Sequence, residues 1–109
     1  MSDSVNQIRL VGRFAGAEER RLPSGDVIVT FRVITDREVG KRGPSGRVTV
    51  DTHDCVAHRA AVRRRALGLG DGEWVEVAGA VRRRFWRGVG GAASRSEVEV
   101  LDLTRWRTA

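Results

Sequence analysis

"HRAAVRRRALG", residues 58–68, breaks the alternation of apolar and polar residues that runs through the chain on both sides of it. It is rich in good helix formers and ends at Gly68 as a C-capping glycine would, so it predicts one helix of about two to three turns. Its position decides the fold. Upstream, "VTVDTHDCVA" (48–57) reads as a strand, and "VIVTFRVITD" (27–36) is β-branched nearly throughout. The latter sets Val27, Val29, Phe31 and Val33 on one face, as a long strand buried on one side and partly on the other does. "NQIRLVGRF" (6–14) alternates Ile8, Leu10, Gly12 and Phe14 against Arg9, Val11 and Arg13. Between these runs, "LPSGD" (22–26) is turn chemistry and "EVGKRGPSGR" (38–47) a polar loop. Downstream, "GDGEWVEVAGAVRRRFW" (70–86) predicts a long strand, "RGVGGAAS" (87–94) a hairpin loop, and "RSEVEVLDLTRW" (95–106) a last strand.

The order is therefore β-β-β-α-β-β, an all-β chain with one short helix between the third and fourth strands. That arrangement matches the five-stranded Greek-key OB barrel, whose closure removes sheet edges. A length of 109 residues suits one such domain, 1–109, with no room for a separate catalytic domain.

Composition narrows the partners. The formal charge is +6, with 40% hydrophobic and 31% charged residues. An excess of base over acid points to a polyanion, most commonly a nucleic-acid backbone. Lys41 is the only lysine, so part of the arginine abundance reflects residue usage; the net charge does not depend on that choice. No window approaches the roughly 18 apolar residues of a membrane span, and "MSDSVNQ" has neither a basic nor an apolar leader region. A cytoplasmic, nucleoid-associated protein is expected. Cys55 is the only cysteine, which excludes an intramolecular disulfide.

"AVRRRFWRG" (80–88) carries the functional signal. Alternation places Val75, Val77, Val81 and Phe85 on one face and Arg82, Arg84 and Trp86 on the other, unless a bulge at Gly79 intervenes. Val75 and Val77 belong to the core, so Trp86 points outward with two arginines behind it and Arg87 beside it. An exposed indole among guanidinium groups suits single-stranded nucleic acid, whose bases offer π-faces and whose phosphates offer charge. Duplexes hide those faces. The alternative is an indole packed on the barrel rim beside a solvated strand face.

Other groupings carry less. In "HDCVAH", His53 and Cys55 share a strand face while His58 points away, and no fourth ligand is near in sequence, so no metal site is expected. Cys55 sits mid-strand among apolar residues, as a buried thiol does. "GLGDG" and "GVGG" do not join a strand to a helix, so they read as turns and not phosphate cradles. Arg63, Arg64 and Arg65 fan around the helix and read as a solvated face. Trp74 and Trp106 are assigned to packing or to an oligomer contact.

Three stretches together resemble the bacterial single-stranded DNA-binding proteins. "VNQIRLVGRF" is similar to that family's opening in Asn6, Leu10, Val11 and Gly12. "LPSGDVIVTFRVIT" matches its second strand in Gly25, Val29, Phe31 and Thr35, and "LGLGDGEWVEVAGAVRRRFW" its fourth in Leu69, Gly72, Val75, Val77, Gly79 and Trp86. The resemblance implies an OB fold and sequence-tolerant binding of single-stranded DNA in replication, recombination or repair; because no acid/base pair, metal cluster or nucleophile has supporting neighbours, no catalysis and no cofactor are expected. It implies a homo-oligomer too, a tetramer ahead of a dimer. The first strand, with apolar residues on one face and Val11 on the other, leaves an edge partly unpaired in a monomer. Asn6, Ile8, Leu10, Val11 and His53 are the expected contacts. On this reading Trp86 is expected to stack a base, Arg32, Arg82, Arg84 and Arg87 to neutralise phosphates, and His58 to add a stacking surface.

There are departures. Where the family places three further aromatic residues, this chain has Val39, Thr52 and His58, so binding leans on arginine electrostatics. The family's Gly/Pro/Gln-rich tail with an acidic tip has no counterpart after "LTRWRTA", and tail-mediated recruitment of repair proteins is not expected. A second reading stays open: a protein-interaction module of primosomal type, with nucleic-acid binding secondary. Nothing in these residues reads a 2′-hydroxyl, so RNA stays open as well.

Overall fold

A computed structural model describes residues 3–107; Met1, Ser2, Thr108 and Ala109, the ends of the expected domain, lie outside the described residues. The alternating segments form β1 (Ile8–Arg21), β2 (Val27–Asp36), β3 (Val50–Ala57), β4 (Trp74–Gly88) and β5 (Gly91–Arg105), with α1 (Ala60–Leu67) between β3 and β4. They close into a barrel in the order β1-β2-β3-β5-β4, with β4 returning to β1. Every pairing is antiparallel except β3 with β5, which meet at Cys55↔Val98 and Val56↔Glu99. This is the five-stranded barrel with one short helix that the sequence predicts, an OB fold.

Alternation explains the interior. Leu10 and Phe14 of β1, Val29, Phe31 and Val33 of β2, Val75 and Val77 of β4, and Val98, Val100 and Leu103 of β5 form one apolar cluster. The Phe14 and Phe31 ring centroids lie 4.9 Å apart. α1 adds Val62 and Ala66, four residues apart and so on one helix face. The helix does end at Gly68, but with φ −87° and not in the left-handed conformation; its N–H reaches back to the Arg64 and Arg65 carbonyls. Arg65 ties α1 to β5 through Asp102 at 3.0 Å.

Two glycines let strands approach closely. A Cβ on Gly12 would stand 2.2 Å from the Ile34 carbonyl oxygen, and one on Gly79 would stand 2.1 Å from that of Glu99. Gly79 is also where the sequence leaves room for a bulge. The irregularity falls opposite it: Ala78 pairs with Asp102 and Gly79 with Val100, so Leu101 of β5 is the extra residue. β4 stays in step, and its alternation runs unbroken to Trp86.

The hairpin differs from expectation. The eight residues 87–94 predict a loop, yet β4 runs to Gly88 and β5 restarts at Gly91, leaving Val89 and Gly90 as the turn. Glycine density suggests irregular chain; here Gly90 and Gly91, at φ 96° and 118°, supply the positive φ that a tight reversal needs. β1 likewise continues past Phe14 to Arg21, through a register shift between Ala15 and Glu18.

Candidate nucleic-acid interface

The long hairpin creates the site. β4 pairs with β1 only as far as Gly79, and β5 meets β3 only at Val98 and Glu99. Beyond those points residues 82–97 of the two strands pair with each other alone, as a two-stranded arm that leaves the barrel. Both faces of such an arm meet solvent, which sequence alternation does not anticipate. Val81 and Phe85 do share the parity of Val75 and Val77, but they are 44% and 72% exposed because no barrel stands behind them. Phe85 is thus a second exposed aromatic on the arm, missed by a reading that equated parity with burial.

Register defines the two faces. One carries Arg82, Arg84 and Trp86 of β4 opposite Glu97, Arg95 and Ala93 of β5. Trp86 is 42% exposed there. The other carries Arg83, Phe85 and Arg87 opposite Ser96, Ser94 and Ala92. The Trp86 face continues the outward face of the barrel: Ala80 pairs with Glu99, Glu99 with Val56, and Val56 shares its parity with Asp54, which pairs with Arg32.

The structure therefore brings Arg32, Arg82, Arg84 and Trp86 to one surface, and puts Arg87 on the opposite face of the arm. His58 is exposed but lies past the end of β3, before α1, away from the arm strands. Arg95 was missed in the sequence, and it stands directly across from Arg84. Its place follows only from a two-residue turn, which the glycine-rich stretch concealed. Arg82 donates to Glu99 at 3.2 Å and Arg83 to Ser94 at 3.0 Å.

The expected contacts between copies divide. The β1–β2 register begins at Arg13 and Gly12 already lies against Ile34, so residues 8–11 run along β4 alone and keep one free edge, with Val11 half-buried on the outward face. Leu10 is buried in the core and Ile8 packs against it, so both serve the barrel interior. The carboxamide of Asn6 is engaged within the chain, donating to the Val81 carbonyl at 2.8 Å and accepting from the Val81 N–H at 2.9 Å. His53 Nε2 lies 2.9 Å from the Thr35 hydroxyl.

Trp74, itself 45% exposed, and half-buried Trp106 lie on the outer wall of the barrel, each beneath an arginine. Arg13 lies over the Trp74 ring at 5.8 Å and Arg9 over the Trp106 ring at 5.5 Å. Arg9 also pairs with Glu76, and Arg13 with Asp36 at 3.0 Å, whose carboxyl that guanidinium holds below its ordinary value. Cys55 is buried, and burial pushes its thiol up to about 12. Val39, in a turn, and Thr52, in the first half of β3, are exposed.

A closed five-stranded barrel with an arginine-lined face and an exposed indole on a projecting arm is the architecture of an OB-fold nucleic-acid-binding protein. The chain belongs to the single-strand binding protein family, whose model matches residues 5–105. Single-stranded DNA is accordingly its ligand, and the family's members are in general non-enzymatic binding proteins. Among solved structures, the fold is similar to that of a Plasmodium falciparum SSB in complex with ssDNA. That match has a TM-score of 0.76 at 22% identity and covers 98% of this chain and 99% of that one.

Proposed function

We propose that the protein holds single-stranded DNA without regard to sequence, stacking a base on Trp86 and neutralising phosphates with Arg32, Arg82 and Arg84 on the shared outward face. One observation carries this reading: an indole 42% exposed on an arm whose same face bears arginines. Such a surface offers the two interactions that unpaired nucleotides supply together, a π-face and a charge. Arg87, on the other face of the arm, adds to the field around it, and exposed His58 adds an aromatic surface beyond β3. The role is structural and not catalytic: the protein coats single strands during replication, recombination or repair, in the cytoplasm and on the nucleoid. The free edge of residues 8–11 supports assembly into a homo-oligomer, a tetramer ahead of a dimer, with Val11 and His53 among the contacts.

The experiment is a titration at moderate salt with oligo-dT and a duplex of equal length. Tighter binding to oligo-dT is expected. Equal or better duplex affinity would leave only a generic basic surface.

A further inference from the structure

β3 and β5 pair at Cys55↔Val98 and Val56↔Glu99, and on the arm side of those pairs the strands part. Across the opening, Arg95 Nη1 reaches Asp54 Oδ2 at 3.9 Å, with both side chains 48% exposed. It is the longest of the ion pairs among the described residues. Asp54 is also placed among other cations. The β2–β3 register sets Arg32 directly across from it, and the β4–β5 register sets Arg84 directly across from Arg95. Like charges placed opposite one another on an antiparallel pair repel. Among the described residues neither Arg32 nor Arg84 has an ion pair, whereas Arg20 is held by Glu18 and Arg82 by Glu99. A groove lined by Gly16, Glu18, Arg20, Arg32, Asp54 and Arg95 runs through this place, with Glu18 already paired to Arg20. The Arg32 guanidinium lies over Gly16, where a Cβ would come within 2.8 Å of it.

We propose that this groove is a phosphodiester subsite and that Asp54 is its resident stand-in, a carboxylate that holds Arg95 until a backbone phosphate displaces it. The proposal rests on the reading of the outward face as the DNA-binding one. An exposed ion pair this long is weak. A phosphodiester offers Arg95 two acceptor oxygens in a fork geometry, and its negative charge offsets the repulsion between Arg95 and the Arg84 across from it. Displacement leaves the Asp54 carboxylate beside the phosphate. Asp54 therefore lowers affinity twice, by competing for Arg95 and by repelling the strand, and only the first effect needs Arg95.

The test compares wild type, Asp54→Asn, Arg95→Ala, the double variant and Arg84→Ala in oligo-dT titrations over a range of salt, with a thermal melt of each. Asp54→Asn is expected to tighten binding about two- to five-fold at low salt. Arg95→Ala is expected to weaken it and to flatten the slope of log affinity against log salt by about 0.7. The gain from Asp54→Asn should shrink clearly in the Arg95→Ala background. A gain of equal size in both backgrounds is a plain charge effect and overturns the proposal, as does no gain at all. Arg84→Ala separates the two levels. If it weakens binding and flattens the slope while Asp54→Asn does nothing, the outward face still binds DNA and only the subsite falls. If neither has an effect, both fall.

Discussion

The side chain of Asn6 completes a β-ladder that its backbone does not: its amide donates to the Val81 carbonyl at 2.8 Å and its carbonyl accepts from the Val81 N–H at 2.9 Å. In the β1–β4 register, which ends at Ile8↔Gly79, position 6 falls opposite position 81. Asn6 thus pins β4 where the arm leaves the barrel. Asn6→Ala removes both bonds at an exposed site and should cost about 1 kcal/mol, read from the midpoint of a urea melt. Asn6→Asp keeps the acceptor but sets a carboxylate against the Val81 carbonyl, and should cost no less than Ala.

Stacking and charge separate by their response to salt. Trp86→Ala should weaken single-strand binding by roughly 1–3 kcal/mol per stacked base with the salt slope nearly unchanged, since stacking releases few counterions. Arg84→Ala should instead flatten that slope by about 0.7, with affinity lost mostly at low salt. If Trp86→Ala lowers the melting temperature and leaves the affinity of the folded protein intact, the indole is a packing residue. The primosomal-type interaction module then becomes the better reading.

Two phenylalanines of inward parity should respond oppositely. Phe31 is buried against Phe14, and Phe31→Ala should cost about 3–5 kcal/mol of folding stability. Phe85 shows 72% of its surface, so Phe85→Ala should change stability by no more than about 0.5 kcal/mol. Denaturant melts of the two variants check this, and a large loss for Phe85 would mean that the arm packs against something in solution.

Acid should destabilise the fold through three carboxylates. The Arg13 guanidinium holds Asp36 below its ordinary value and Arg37 does the same for Asp51; Glu73 is lowered first by the Gly70 N–H and then by Arg105. A group depressed in the folded state takes up its proton sooner in the unfolded chain. The stability it contributes is full above the ordinary carboxylate value of about 4 and is lost as pH falls through the lower folded value. The melting temperature should stay level from neutral pH to about 5 and drop below about 4. Asp51→Asn should make that drop shallower and 0.5 M salt should shrink it, about half a molar being enough to screen exposed pairs.

Much of this architecture was legible in the residues, because alternation and helix-forming composition are local properties. The five strands and the core faces around Phe31, Val75 and Val77 follow from period, and the one helix from composition where that period breaks. What was not legible depended on where partners stop. Alternation assigns Phe85 a face but cannot say that β1 ends its pairing at Gly79 and leaves that face in water. The same gap hid Arg95, whose position across from Arg84 needs the turn at Val89 and Gly90. For Asn6 and Leu10, a family pattern showed where residues matter without showing that one caps a ladder and the other fills the core.

The closure of the barrel has a kinetic meaning. β1, β2 and β3 pair with their sequence neighbours, and so do β4 and β5, but Ile8 must find Gly79 and Cys55 must find Val98 before the two units become one. Loop-closure entropy is spent before those distant contacts return anything, so joining the two units is expected to be the slow event of folding. During synthesis, which proceeds from the N-terminus, β3 waits with an open edge until the last strand emerges. A ribosome that stalls before Val98 leaves a half-barrel that cannot close, with its apolar face and strand edge open to chaperones and to aggregation.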